Sequence, residues 1–240
     1  MLHIHGIFQV MALLSFIKDE DLRTHVLWVL SYVKQPTEKS FYNNAVDPFS
    51  AVFEASIQEI PLSKWVELER VRQGQKSMQN KLGDFHQRIL GSMPGWEDLG
   101  TGHLIDIKNN EKKIIAEIKN KHNTTKGSDK VVIYDNLKYA LDNEYSGFTA
   151  YYVEIIPKNR YTYDKDFSPP DNKTHTVRET FSRIHVTDGK SFYALASGVP
   201  DALKQLYEIL PQIIGDALGR PLETIVKDPF YKEIFKRTYS

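Results

Sequence analysis

The sequence predicts an α/β fold: a mixed β-sheet flanked by helices and preceded by a mainly helical N-terminal region. Three observations carry this. The first ninety or so residues repeat apolar positions at helical spacing. Three runs between residues 103 and 156 are rich in isoleucine, valine and aromatic residues, as strands are. The first two are close in sequence, while a helical stretch separates the second from the third, so the sheet is partly antiparallel with helices on its faces.

Along the chain, Leu22, Val26, Val29, Leu30 and Val33 share one helical face after the acidic start Asp19-Glu20-Asp21, and Gln35-Pro36-Thr37 ends that run. Asp47-Pro48 provides an N-cap and first helical residue for a short helix through Phe53. A long helix runs from about Ser63 to Leu90, with Gly91 just past its end and Gly74 and Gly83 inside it. Leu68, Val71, Met78, Leu82, Phe85 and Ile89 form its apolar seam, which packs either on the chain's own sheet or against a second subunit as a coiled coil. Strands at 103–108 and 113–119 enclose a turn at Asn109-Asn110. Ser128 caps a helix carrying Val131, Val132, Leu137, Ala140 and Leu141, and Phe148 to Ile156 is a strand stopped by Pro157. Residues 157–183 lack periodicity and contain Pro169-Pro170, the mark of a functional excursion or a disordered stretch. Short strands are predicted around Ile184–Val186 and Phe192–Leu195, then an amphipathic helix from Asp201 to Leu218 kinked at Pro211.

At 240 residues, 41% hydrophobic and 26% charged, the chain is expected to form one elaborated domain. Its parts are a helical portion at 1–92, a core at 93–156, and a final segment with C-terminal helices at 157–240. There is no cysteine, which excludes disulfides, thiolate catalysis and cysteine-ligated zinc. The apolar run from Ile4 to Ile17 is too short to span a bilayer and has no basic start, so a soluble cytoplasmic protein with no membrane partner is expected. Basic and acidic residues balance at 31 each, so positive potential for a polyanion must be local. Between Lys108 and Lys130 it is: seven lysines stand against three acids. A solvated edge would show the same excess.

The chemistry lies in that stretch. Its pattern is Asp106, ten residues, then Glu117, one residue and Lys119. Strand alternation puts Glu117 and Lys119 on one face with Ile118 on the other. Charges in an isoleucine-rich strand are costly unless a metal or polyanion uses them. Asp106, Glu117 and the Ile118 carbonyl suit Mg²⁺, a hard ion that takes oxygen ligands and few protein carboxylates. Lys119 would orient or deprotonate a water and offset charge at phosphorus. The reading is a metal-dependent nuclease. Register is its difficulty. A two-residue turn at Asn109-Asn110 would set Asp106 opposite Lys113, roughly 13 Å along the strand from Glu117. A wider loop or a bulge is required.

Asp106 with Glu117-Ile118-Lys119 resembles the PD-(D/E)XK nuclease superfamily, although Ile105 replaces the proline that often precedes the first acid. Gly83 to Gly91, with Ala116 to Thr124, is similar to a narrower group, the type II restriction endonucleases that cut GGNCC or GGWCC sites. The resemblance implies a restriction-endonuclease-like core, Mg²⁺, a homodimer, and cleavage of double-stranded DNA at a short palindrome. It also implies a companion methyltransferase that acts on the same site without a stable complex. Within the superfamily, a junction resolvase or repair nuclease is the alternative; outside it, a catalytically silent DNA-binding protein.

Other residues carry two readings. Gln87 and Asp84, at the end of the long helix, could complete the metal shell or be exposed helix-end residues. Glu97 and Asp98 read as a surface turn, and Glu154 as either a buried acid near the site or an edge-facing residue, the second reading being preferred. Lys121, His122, Asn123 and Lys126, just after the motif, are candidate DNA contacts. Lys158, Asn159, Arg160, Tyr161, Lys173 and Arg178 are candidate base readers as a group.

Overall fold

The structure is a computed structural model and describes residues 12–31, 41–123, 125–171 and 173–239. Most of the Ile4–Ile17 run, together with Val33 and the Gln35-Pro36-Thr37 stop, lies outside those residues.

Helix α1 spans Asp19–Ser31, its three acids in the first turn where the helix dipole favours them. Helix α2 (Pro48–Ile57) is capped by Asp47, whose Oδ1 accepts the N–H groups of Phe49 and Ser50, and runs one turn further than predicted. Helix α3 (Leu62–Gly91) is continuous through both internal glycines. Its seam divides. Phe85 and Ile89 are buried against the sheet, whereas Leu68 and Val71 at the other end are exposed.

A six-stranded sheet follows: β1 (Trp96–Asp98), β2 (Ile107–Asn109), β3 (Ile114–Lys121), β4 (Thr149–Ile156), β5 (Asp164–Asp166) and β8 (Ile184–Asp188), in the order β1-β2-β3-β4-β8-β5. β1, β2 and β3 form an antiparallel meander, and β3, β4 and β8 are parallel. The β3-to-β4 crossover is α4 (Gly127–Asn143), and β5 closes the far edge antiparallel to β8. Ser128 lies inside the first turn of α4; the cap contact is from the Lys126 N–H to the Asp129 carboxylate. Glu97 and Asp98 belong to β1 rather than to a turn, and the described residues of 157–183 include short regular elements. They hold a 3-10 turn at Lys158–Arg160, β5, and a small hairpin of β6 (Pro170–Asp171) and β7 (Thr176–Val177).

Each face of the sheet buries a core. Ile114, Ala116 and Ile118 of β3 pack with α1, the C-terminal end of α3, α5 (Gly189–Ser197) and α6 (Ala202–Leu218). Ile115 packs on the opposite face with Ile133, Leu137 and Leu141 of α4, where Phe167 also inserts. The predicted strand at Phe192–Leu195 is the helix α5. Asp188 caps it by accepting the Ser191 N–H, and its buried aromatic face overrides strand propensity. Two short helices, α7 (Glu223–Lys227) and α8 (Pro229–Thr238), end the chain.

Pro211 sits inside α6 and has no N–H to give to the Tyr207 carbonyl one turn back. The Tyr231 hydroxyl of α8 donates to that carbonyl at 3.0 Å, and the Tyr207 hydroxyl donates to the Tyr231 carbonyl at 2.7 Å. The rings stack at 4.8 Å. A gap in one helix is thus the attachment point of another. Among the described residues no helix is long and apolar enough to cross a membrane.

Candidate active site

The β2–β3 connection is a four-residue loop, because Asn109 pairs with Ile114 and leaves 110–113 to turn the chain. Asn109, buried, accepts the Lys112 N–H through its side chain, and Lys113 takes a left-handed φ of 53°. With that loop Ile107 pairs with Ala116, so Asp106 arrives beside Glu117. The Asp106 N–H donates to the Ala116 carbonyl at 3.0 Å, and its Oδ2 accepts the Ile118 N–H at 2.7 Å. The wider loop that the chemistry demanded is present.

Glu117 and Lys119 follow on β3, where it runs past the end of β2. The Lys119 ammonium lies 2.6 Å from Glu117 Oε1. Burial and the neighbouring Glu117 charge push the Asp106 carboxyl up to about 7, against the Ile118 N–H and Lys119, which favour the anion. Burial disfavours the Lys119 ammonium, but Glu117 and Asp106 outweigh it and hold Lys119 above the ordinary lysine value. Two carboxylates crowded enough to raise one proton affinity, with a single ammonium between them and solvent, make a site short of positive charge. Their hard oxygen donors fit a divalent cation such as Mg²⁺. Among the described residues no cluster of three or more His, Asp or Glu side chains could hold a metal, so a cation here would rely on Asp106, Glu117 and main-chain or solvent oxygens.

The site opens into a cleft of about 450 Å³ between α3 and the loop 100–103. Asp84 and Gln87 line it with Asp106, Ile118 and Lys119. Asp84 is exposed and adds to the negative field on Lys119. Gln87 donates its amide to Asp98 Oδ1 at 2.8 Å, and the same oxygen accepts the Gly100 N–H at 2.9 Å. Gln87 therefore ties helix, edge strand and loop together. Gly91 permits this approach, since a Cβ there would stand 2.5 Å from the Asp98 Cβ. His86 faces away: its Nδ1 is 2.8 Å from the Tyr193 hydroxyl, and burial lowers its pKa to about 4.

Glu154 corrects a prediction. It is not edge-facing but 4% exposed, beside Lys119 in the β3–β4 register. It pairs with Lys130 of α4 at 2.5 Å and accepts the Tyr163 hydroxyl. An acid in an aromatic, β-branched strand is the same signal that marked Glu117, but that signal does not say whether the acid is paired or exposed. Arg178 is also accounted for structurally. Its guanidinium forks onto Asp135 at 2.8 and 2.9 Å and reaches Asp171 at 3.3 Å, so it is engaged within the chain.

Of the other candidate DNA contacts, Lys121 ends β3 opposite Ile156, and the His122 N–H donates to the Ile156 carbonyl. Asn123 and Lys126 are exposed in the connection to α4. Asn159 and Arg160 are exposed in the 158–160 turn, both with left-handed φ.

Residues 14–219 match the family model described as Eco47II restriction endonuclease. The chain is 40% identical over 236 residues to the type II restriction enzyme Eco47II of Escherichia coli, covering 92% of this chain and 97% of that protein. It is 29% identical over 211 residues to the type II restriction enzyme Sau96I of Staphylococcus aureus, covering 85% of this chain and 80% of that one. The chain belongs to the Eco47II restriction endonuclease family of type II restriction enzymes.

Proposed function

We propose that this chain hydrolyses phosphodiester bonds of double-stranded DNA at a short palindromic site. In this reading it depends on Mg²⁺, works as a homodimer, and serves a restriction-modification system with a separate methyltransferase. The observation that carries the proposal is the placement of Asp106 beside Glu117, with Lys119 2.6 Å from Glu117 at the mouth of the cleft. That is the acid, acid and lysine set of a PD-(D/E)XK nuclease.

Asp106, Glu117 and the Ile118 carbonyl would hold Mg²⁺. The ion supplies charge neutralisation at the scissile phosphate and acidifies water. The chain does the rest. The Ile118 N–H holds one oxygen of the Asp106 carboxylate and leaves the other for the site. Lys119 is held as a cation by its carboxylate neighbours, the form that stabilises charge developing on the phosphoryl oxygens. Reducing the negative charge beside it lowers its proton affinity and brings it toward use as a base for the attacking water. Asp84 and Gln87 shape the wall, Gln87 through Asp98. Lys121, His122, Asn123, Lys126 and Arg160 are assigned to DNA binding, residues 93–156 to catalysis, and 157–240 to recognition and packing.

The test is incubation of the purified chain with unmethylated phage DNA, with and without Mg²⁺, and sequencing of the fragment ends. Discrete ends at one palindromic motif, only with the metal, are expected. Cutting confined to junctions, or binding without cutting, would overturn the assignment.

A further inference from the structure

Helix α2 is built inside out. Toward α3 it buries Ala51 and Ala55 against Trp65. Away from α3 it presents Phe49, Val52, Phe53 and Ile57, which are 75%, 56%, 68% and 80% exposed. These positions recur at the three- and four-residue spacing of one helical face. Glu54, the one charged residue of this helix, turns inward to Trp65 Nε1 at 3.0 Å and Arg72 at 2.9 Å. The outward face thus has no cation for a phosphate backbone or an anionic lipid surface, and no charge for a charged peptide.

We propose that this face of α2 is the surface on which a second copy of the chain docks about a two-fold axis. The proposal rests on the reading above, in which both strands of a palindrome are cut, and it names the surface that joins the two copies. Area supports it. The four side chains expose on the order of 500 Å² of apolar surface. A standard interface buries about 800 Å² per partner, a little over half of it apolar, so this patch supplies nearly the full apolar share of one side. An uncharged apolar face is also self-complementary, as a two-fold contact requires. Another exposed apolar set, Ile225, Val226, Phe230 and Ile234, is interleaved with Lys227, Lys232, Glu233 and Lys236 and would set like charges against one another. Trp65, under α2, and Asp84, at the cleft, lie about 28 Å apart along α3 at helical rise. Docking through α2 therefore leaves each cleft open, at the far end of a helical arm.

The experiment compares the full-length chain with Phe49→Glu/Phe53→Glu and, as a control, Phe230→Glu, by sedimentation velocity at micromolar concentration with circular dichroism. The unaltered chain and the control should be dimers, and the α2 variant a folded monomer that loses double-strand cleavage by at least tenfold. A folded α2 variant that remains a dimer overturns the surface and leaves the homodimer reading intact. An unaltered chain that is monomeric both free and on target DNA overturns the homodimer reading, and the proposal with it. A second test does not depend on the double variant folding. In this cysteine-free chain, Ser56→Cys on the same face should give a covalent dimer with a short bismaleimide, and Ser128→Cys on α4 should not. No crosslink through Ser56→Cys in a sample that sediments as a dimer also overturns the surface.

Discussion

Asp106 Oδ2 accepts the backbone N–H of Ile118 at 2.7 Å, and this bond holds the acid against Glu117. β2 begins at Ile107, and the last main-chain bond to β3 on that side runs from the Asp106 N–H to the Ala116 carbonyl. The Asp106 side chain continues the ladder by one bond and satisfies a main-chain donor while keeping its other oxygen for the site. The proposed catalytic acid and the strand-end cap are the same residue.

Removing either carboxylate should separate cleavage from binding. Asp106→Asn or Glu117→Gln is expected to abolish cleavage in Mg²⁺ while leaving DNA binding intact, or stronger in metal-free buffer, because a negative charge facing phosphate is lost. Single-turnover cleavage beside equilibrium binding measures both. Near-normal turnover in either variant would dismiss that residue from the site.

Lys119 should behave unlike the lysines that follow it. Lys119→Ala is expected to lower the single-turnover rate by at least about a hundredfold with little change in binding measured in Ca²⁺. Lys126→Ala should instead weaken binding and reduce the salt slope by about one unit. If Lys119→Ala cleaves at the normal rate once saturated, Lys119 is a phosphate clamp.

The Tyr207–Tyr231 exchange gives a stability prediction away from the site. Tyr231→Phe removes the donor to the carbonyl that Pro211 leaves open and should cost about 1 kcal/mol, a Tm drop of roughly 2–4 °C. Thermal unfolding followed by circular dichroism checks this; an unchanged Tm would mean that water serves that carbonyl equally well.

His86 should make the fold sensitive to acid. Its folded pKa is lowered to about 4, below the unfolded value near 6.5, so the neutral form belongs to the folded state. The stability this lends is present above pH 6.5 and is lost as pH falls toward 4. Between pH 7 and 5 that amounts to about 2 kcal/mol at most. His86→Gln should show a smaller stability difference between those two pH values in urea unfolding, and an equal difference would exclude His86 as the cause.

Side-chain alternation along β3 is legible in the sequence, because it depends only on the two-residue period of a strand. So are the helical faces of α1 and the C-terminal end of α3, the Asp47 cap, and the choice of Asp106, Glu117 and Lys119 as the proposed set, which the structure brings together. Register is not, since Asn109-Asn110 reads as a tight turn until the buried Asn109 side chain is seen holding the Lys112 N–H and opening the loop to four residues. Glu154 could not be placed either: whether an acid on a strand is exposed or paired depends on which helix lays a lysine over it, and Lys130 arrives from α4. The same holds for Phe192–Leu195, aromatic enough for a strand but wound into α5 by the Asp188 cap and the core it meets. Periodicity is local and survives in one dimension, whereas pairing partners are long-range, and only the packed chain selects among them.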